Sequence, residues 1–177
     1  MAKASARKTP RPQRLAAPRR PETMAKSFTS EPVAIEFADA SHRFVRADLE
    51  INGIAHGEAS YEGRIFLDNP KANAKTPKTI EEGYAGSFNI FGHGGCLGDP
   101  GHCDINEHNR DPYDFRAPHP LTLASKRVTV TAALRAAART KKKATITIVP
   151  VVTAANDLCD TKDVFHFERM QFVTYNG

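Results

Sequence analysis

The chain has 177 residues and a formal net charge of +5, a length that suits one domain with its own hydrophobic core. Residues 1–26 hold eight Lys and Arg against one acidic residue, whereas the rest of the chain holds 17 basic and 19 acidic residues. Because the body of the protein is near neutral, the charge argues against a nucleic-acid-binding fold. We interpret residues 1–32 as a basic, disordered arm and residues 33–177 as a single domain.

The basic arm lacks the features of a targeting signal. No apolar run follows its positive charges, and Pro21-Glu22-Thr23 follows the pair Arg19-Arg20 where a twin-arginine signal needs apolar residues. No later segment reaches transmembrane length, so the default expectation is a cytoplasmic protein without a membrane anchor. Met24 offers a second start position, and a protein that starts there would lack the arm. If the arm is present, it could dock an acidic partner electrostatically.

Apolar residues alternate with polar ones over most of the chain after Val33. In the first such stretch Ala47, Leu49 and Ile51 share one face, and such alternation predicts half-buried strands. The stretches are RADLEINGI (46–54), YEGRIFLDNP (61–70), GSFNIFGH (86–93), KRVTVTAAL (126–134), KATITIVPVV (143–152) and DVFHFERMQFVTY (163–175). They predict an all-β fold, an antiparallel β-sandwich of cupredoxin-like or immunoglobulin-like shape.

Three further signals complete the predicted organisation. Asn52-Gly53 is a dipeptide typical of tight turns. TAALRAAARTKKK (131–143) predicts one short helix, with Thr131 as its N-cap. Polar residues with two prolines predict a surface loop over 68–82, and a second, longer loop is predicted over 92–120.

The longer loop is rich in glycine, cysteine and histidine, and it allows three interpretations. As a metal site, 91–114 offers nitrogen and sulfur ligands that zinc or copper would accept, although their spacing matches no common zinc pattern. These candidates are His93, Cys96, His102, Cys103 and His108. As a cross-link, Cys96 and Cys103 could form a disulfide across a turn that contains Pro100. The third interpretation is a polar loop with free thiols.

The other potential site residues favour structural roles. Cys159 has no evident partner in the sequence and is interpreted as a lone thiol. His42, His56 and His166 occur singly on predicted strands or turns, where a structural or exposed histidine is expected. A Cys103–His108 nucleophile and base pair has little support, because the surrounding acidic residues would raise the thiol pKa. The sequence therefore predicts no catalytic residues and no resident cofactor, with copper or zinc as the open alternative.

Four stretches, taken in order, resemble a known family. ASYEGRIFLDNP (59–70), YAGSFNIFGH (84–93), VTVTAALRAA (128–137) and ATITIVPV (144–151) are similar to segments of the C-terminal domain of tyrosinases and plant polyphenol oxidases. The first stretch resembles an early strand of that domain that ends in an Asn-bearing turn, and the second resembles a strand followed by a His. The third resembles a strand that leads into a short helix, and the fourth resembles a late strand that contains Val-Pro. The resemblance covers about 43–175 and implies a β-sandwich, related to a haemocyanin domain, that shields a dicopper catalytic domain.

The chain departs from that family in ways that bear on function. The family's six copper ligands lie on a separate helical domain, several of them four residues apart, whereas His102 and His108 here are six apart within a loop. The resemblance therefore implies a non-enzymatic protein that caps, stabilises or helps to assemble a separate dicopper oxidase. The alternatives are a copper- or zinc-binding cupredoxin-like protein that uses the 91–114 loop, and an interaction module that binds an acidic partner through its arm.

Overall fold

The computed structural model describes residues 23–35, 44–93, 121–154 and 160–176. These parts of the chain form antiparallel strands and one short helix, which confirms the predicted all-β class. The elements in chain order are β1 (Thr23–Met24), β2 (Phe28–Thr29), β3 (Val33–Ala34), β4 (Phe44–Ile54), β5 (Ser60–Leu67), β6 (Tyr84–Ile90), β7 (Ala124–Thr129), α1 (Thr131–Ala138), β8 (Lys143–Ala144), β9 (Ile146–Ala154) and β10 (Arg169–Asn176).

The strands form two main sheets and one small one. In the larger sheet, β9 pairs with β5, β5 pairs with β6, and the short strands β1 and β2 both pair with the other edge of β9. The second sheet has the order β10-β4-β7, and β3 pairs with β8. Every pairing is antiparallel, as expected for a sandwich built from neighbouring and returning strands.

The main core contains side chains from the larger sheet and from the three-stranded sheet. On β4 the alternation predicted from the sequence is confirmed, since Ala47, Leu49 and Ile51 have no exposed surface. Tyr61 and Ile65 of β5 belong to the same core cluster. Burial of a large aliphatic side chain contributes about 1.5–3 kcal/mol, so this cluster is the main source of the favourable folding energy. Further members are Phe88, Ile90, Ile146, Ile148, Val152, Val164 and Phe165.

The larger sheet is also covered on its other face. Phe66, Val149 and Val151 form a second buried cluster with Ala72, which lies in the segment between β5 and β6. The Arg64 guanidinium donates a 2.6 Å hydrogen bond from Nη1 to the carbonyl oxygen of Ala74 in this segment. The segment 68–82, which was predicted as a surface loop, therefore packs against the outer face of the larger sheet.

Two local predictions were wrong. Asn52-Gly53 does not turn the chain but lies within β4, where Gly53 has φ 71 and the pairing with β7 shifts register between Ile51 and Ile54. This is a bulge, which a glycine with positive φ can occupy without strain. Thr131 is not the N-cap of α1; Val130 holds that position, and the Thr131 hydroxyl accepts a 2.9 Å bond from the amide of Ala47.

The N-terminal strands extend the domain beyond its predicted start. β1 and β2 precede residue 33, and both belong to the larger sheet. By the register of β1 and β2, residues 25–27 fall opposite Val149 and Pro150 of β9, and Pro150 has no amide hydrogen to donate to a neighbouring strand. The Lys26 amide bonds instead to the carbonyl oxygen of Lys162 at 2.6 Å. Residues 1–22 of the predicted arm lie outside the described residues.

The last alternating stretch forms a strand over only part of its length. β10 begins at Arg169, whereas the preceding Val164 and Phe165 are buried without belonging to a strand. Phe165 stacks on Phe167 with ring centroids 5.0 Å apart, and Phe28 of β2 meets Phe167 edge-on at 4.9 Å. These aromatic contacts join the N-terminal strands to the segment that leads into the last strand.

Candidate functional site

The predicted metal and disulfide residues are only partly within the described structure. His93 is described, and it follows β6 as an exposed residue. Cys96, His102, Cys103 and His108 lie outside the described residues, and so does Cys159. The disulfide and the loop metal site therefore stay predictions.

The structure does show how the long loop is attached to the sandwich. The chain leaves the larger sheet through residues 91–93 and returns through 121–123 before β7. His56, in the turn after β4, bonds to both stems. Its carbonyl oxygen accepts a 3.0 Å bond from the amide of His93, and its Nε2 atom lies 2.8 Å from the carbonyl oxygen of Thr122. We call His56, 91–93 and 121–123 the loop base.

Gly92 lies at the point where the first stem passes closest to the turn. Its amide donates a 2.9 Å bond to the Ser60 hydroxyl. A Cβ atom at this position would lie 2.0 Å from the carbonyl oxygen of Glu58, far inside the van der Waals contact distance. The glycine at position 92 therefore permits a main-chain approach that a larger residue would block, and this approach brings the neighbouring His93 beside His56.

Two imidazole rings meet at the loop base. The ring centroids of His56 and His93 are 5.2 Å apart, and the ring planes make an angle of 51°. A carbonyl oxygen can only accept a hydrogen bond, so the contact with Thr122 places the proton of a neutral His56 ring on Nε2 and leaves the lone pair on Nδ1. The sequence predicted a structural or exposed role for His56. Its pairing with His93 was missed, because the two histidines lie on different strand connections and no spacing signals their contact.

The loop base also exposes apolar surface. Phe91 is 85% exposed and Leu123 is 36% exposed, and the two lie on opposite stems of the loop. Exposed aromatic residues of this kind are enriched at protein interfaces. In the described structure the loop base thus combines an exposed phenylalanine, a leucine and two histidines.

A polar network covers the outer face of the three-stranded sheet. Asp48 of β4 has no exposed surface, although the alternation places it opposite the core face. Its carboxylate accepts bonds from Arg46 Nε at 2.8 Å and from the Thr129 hydroxyl at 3.0 Å. These bonds, the Arg46 bond foremost, hold the pKa of Asp48 below its usual range, and the Tyr175 hydroxyl lowers it slightly further.

A second carboxylate of the same network, Glu50, lies two residues after Asp48 on β4. Glu50 accepts bonds from Gln171 at 3.0 Å and from Arg127 Nε at 2.9 Å, and these two partners lower its pKa. The three residues come from β4, β10 and β7, so the network links all three strands. Each carboxylate is paired with an arginine, Asp48 with Arg46 and Glu50 with Arg127, which is the arrangement of a structural ion network rather than of a catalytic pair.

A shallow cleft of about 300 Å³ separates α1 from the segment between β5 and β6. Asp68 lies on its wall with φ 61 and forms an ion pair with Lys141, which follows the helix. Ile80, which also lines the cleft, is 51% exposed. Glu81 and Glu82 add two further carboxylates to its lining.

The described residues contain neither a metal-binding cluster of three or more potential ligand side chains nor a membrane-spanning helix. No group of three or more His, Cys, Asp or Glu side chains there is arranged to hold a metal ion. No helix in the described parts of the chain is long and apolar enough to cross a membrane.

Comparison with known proteins shows a structural likeness but no sequence relative. No protein-family model matches the chain, and no curated protein matches it. Among solved structures, the chain is similar to a latent aurone synthase, a polyphenol oxidase from a natural source, with a TM-score of 0.39 and 16% sequence identity. The match covers 76% of this chain and 21% of that chain, so this protein spans about a fifth of the length of the polyphenol oxidase.

Proposed function

We propose that this protein is a non-catalytic β-sandwich module that binds a separate dicopper oxidase of the tyrosinase type and caps, stabilises or helps to assemble it. The observation that carries the proposal is the local structure of the four stretches that resemble the family. Residues 60–67 form β5, and the Asn69 side chain donates a 2.9 Å bond to Glu82 in the turn region that follows. Residues 84–90 form β6, which His93 follows.

The other two stretches support the proposal in the same way. β7 ends at Thr129, and α1 begins at Thr131, so a strand leads directly into a short helix. Val149-Pro150 lies within β9, the central strand of the larger sheet. Each stretch thus has the kind of element that the resemblance implies, in the same order along the chain.

The contact surface in this proposal is the loop base. Phe91 offers a large apolar side chain that is 85% exposed, and truncation of a central aromatic anchor at an interface typically costs about 2 kcal/mol or more in binding. The two stems that carry Phe91 and Leu123 are tied by His56, so these side chains project from a fixed main chain. A pre-ordered surface loses less conformational entropy on binding than a loose one does.

Co-expression with a six-histidine dicopper oxidase from the same source tests the proposal. We expect the two chains to co-purify, and we expect Phe91→Ser to weaken their binding on the order of thirtyfold. Val45→Ser is the matched control, because Val45 is 63% exposed on β4 and lies outside the loop base. Binding, oxidase copper content and turnover are measured with and without this chain. Identical copper content and turnover in both cases would contradict a role in capping or assembly.

The chain alone is expected to lack phenol oxidase activity. The chemistry of the family needs six imidazoles in a rigid helical frame, whereas this chain has seven histidines spread along its length. Turnover of mono- or diphenols by the purified, copper-loaded protein above the free-copper background would overturn the non-catalytic part of the proposal.

A further inference from the structure

We infer that His56 and His93 form a two-imidazole binding site for a divalent first-row transition metal ion, of which Zn²⁺ and Cu²⁺ are the chemical types. The inference is independent of the proposed function. It also differs from the site predicted in the loop, because it uses a histidine from the turn after β4 and requires no cysteine.

The first support is the separation of the rings. Zinc binds an imidazole nitrogen at about 2.0–2.1 Å, which places the ring centroid about 3.2 Å from the ion, and two such rings at a tetrahedral angle have centroids about 5 Å apart. The His56 and His93 centroids are 5.2 Å apart. The rings therefore have the separation of a chelating pair without any movement of the main chain.

The second support is the hydrogen bond that fixes His56. Histidines that bind metal ions commonly donate their other ring N–H to a carbonyl or carboxylate oxygen, which sets the tautomer and the ring orientation. The Nε2 atom of His56 makes such a bond to the carbonyl oxygen of Thr122 at 2.8 Å. In a neutral ring this bond leaves Nδ1 as the nitrogen whose lone pair is available to a metal ion.

The third support is the link between the two main chains. The amide of His93 donates a 3.0 Å bond to the carbonyl oxygen of His56, and the close approach at Gly92 fixes the residue before His93. Ordering of the two side chains is then the main entropic cost of chelation, since the main chain is already in place. This arrangement favours chelation over binding by a single exposed histidine.

The chemistry of the pair selects the metal. Imidazole nitrogen suits Zn²⁺ and Cu²⁺, whereas Ca²⁺ and Mg²⁺ require oxygen ligands. His93 is exposed and His56 is half-buried, so an ion at the pair is reachable from solvent and can complete its coordination with water. The structure therefore assigns an open site, of the kind that exchanges or presents a metal ion, and not a closed structural one.

The test is a Zn²⁺ titration of the full-length chain labelled with ¹⁵N at histidine, with ring signals observed by NMR. We expect the ring nitrogens of His56 and His93 to shift together and to saturate at one ion, while the ring of His166 stays unchanged. His166 is an apt internal control, since it is exposed and its Nε2 lies 3.1 Å from the carbonyl oxygen of Asp163. Addition of Mg²⁺ is expected to move none of these signals.

Variants complete the test. His56→Gln and His93→Gln should each weaken Zn²⁺ binding at this pair on the order of tenfold or more, and His166→Gln should leave it unchanged. The experiment is repeated in a thiol-free chain with Cys96→Ser, Cys103→Ser and Cys159→Ser, in which binding by the pair should persist. If His56→Gln fails to fold, the His93→Gln variant alone decides, because its side chain is exposed. Unshifted His56 and His93 signals at saturating Zn²⁺, or unweakened binding in His93→Gln, would overturn the inference.

Discussion

The ring of Phe88 on β6 lies directly over the main chain of Gly63 on β5. The two residues are partners in the antiparallel register, and a Cβ atom added to Gly63 would lie 2.3 Å from Cζ of Phe88. The same ring meets Tyr61 edge-on, with centroids 6.3 Å apart, and Phe165 at 6.1 Å. The glycine therefore provides the space in which an aromatic cluster between the sheets can close.

Gly63→Ala should destabilise the protein. The added methyl group forces the Phe88 ring away from its neighbours, and overpacking of this kind costs about 1–3 kcal/mol. Urea unfolding at equilibrium measures the change. Gly57→Ala is the matched control, because a Cβ at Gly57 has no neighbour within 4 Å, and it should change the free energy of unfolding by less than about 1 kcal/mol. An equal effect of the two substitutions would contradict the packing of Phe88 on Gly63.

The same substitution at two tyrosines should have opposite effects. The Tyr61 hydroxyl is buried without a hydrogen-bond partner among the described residues, and its burial raises its pKa far above the usual range. Tyr61→Phe removes an unsatisfied polar group and should leave stability unchanged or raise it by about 1 kcal/mol. Tyr175→Phe removes a hydroxyl that helps to lower the pKa of Asp48 and should lower stability by about 1 kcal/mol. Thermal unfolding of both variants gives the comparison, and a clear loss of stability in Tyr61→Phe would contradict the prediction.

Stability should fall in acid partly through Asp48. Its pKa in the folded protein is lowered, chiefly by the Arg46 hydrogen bond, so its stabilising contribution is fully present above the unfolded value of about 3.9. That contribution is lost as the pH falls from there through the folded pKa, because the unfolded chain then binds the proton more readily. Asp48→Asn should flatten the curve of unfolding free energy against pH in this window. Glu31→Gln removes an exposed carboxylate outside the network and serves as the control. A curve for Asp48→Asn as steep as that of the unaltered chain would contradict the role of Asp48.

Two N-terminal deletions should distinguish the contribution of the arm to stability from that of β1 and β2. Removal of 1–22 should leave the melting temperature nearly unchanged, because that segment is rich in charge and proline and poor in large apolar residues. Removal of 1–30 also takes away β1, β2 and the Phe28 ring, and it leaves one edge of β9 unpaired. It should lower the melting temperature by several degrees and promote aggregation through the open edge. Equal melting temperatures for the two deletions would show that β1 and β2 contribute nothing.

The sequence was sufficient to predict the strands whose apolar residues alternate. Ala47, Leu49 and Ile51 are buried as predicted, because the side-chain period of a strand can be read from local sequence. Asn52-Gly53 was interpreted wrongly because a bulge and a hairpin turn both use a glycine with positive φ, and only the pairing of β4 with β7, which resumes at Ile54, distinguishes them. The contact between His56 and His93 could not be predicted from the sequence, because these residues meet only after two connections between strands fold against each other.

The pairing of β1 and β2 with β9 has a consequence for how the protein is made. On the ribosome the N-terminal strands emerge first, yet Thr29 meets Thr147, 118 residues later, and Gln171 of β10 meets Glu50 across 121 residues. Neither sheet can be completed until β9 and β10 have been synthesised. The nascent polypeptide therefore carries unpaired strand edges over more than 100 residues of synthesis, and such long-range pairing slows folding. Its yield in a cell should depend on chaperones that shield those edges until the last strand is released.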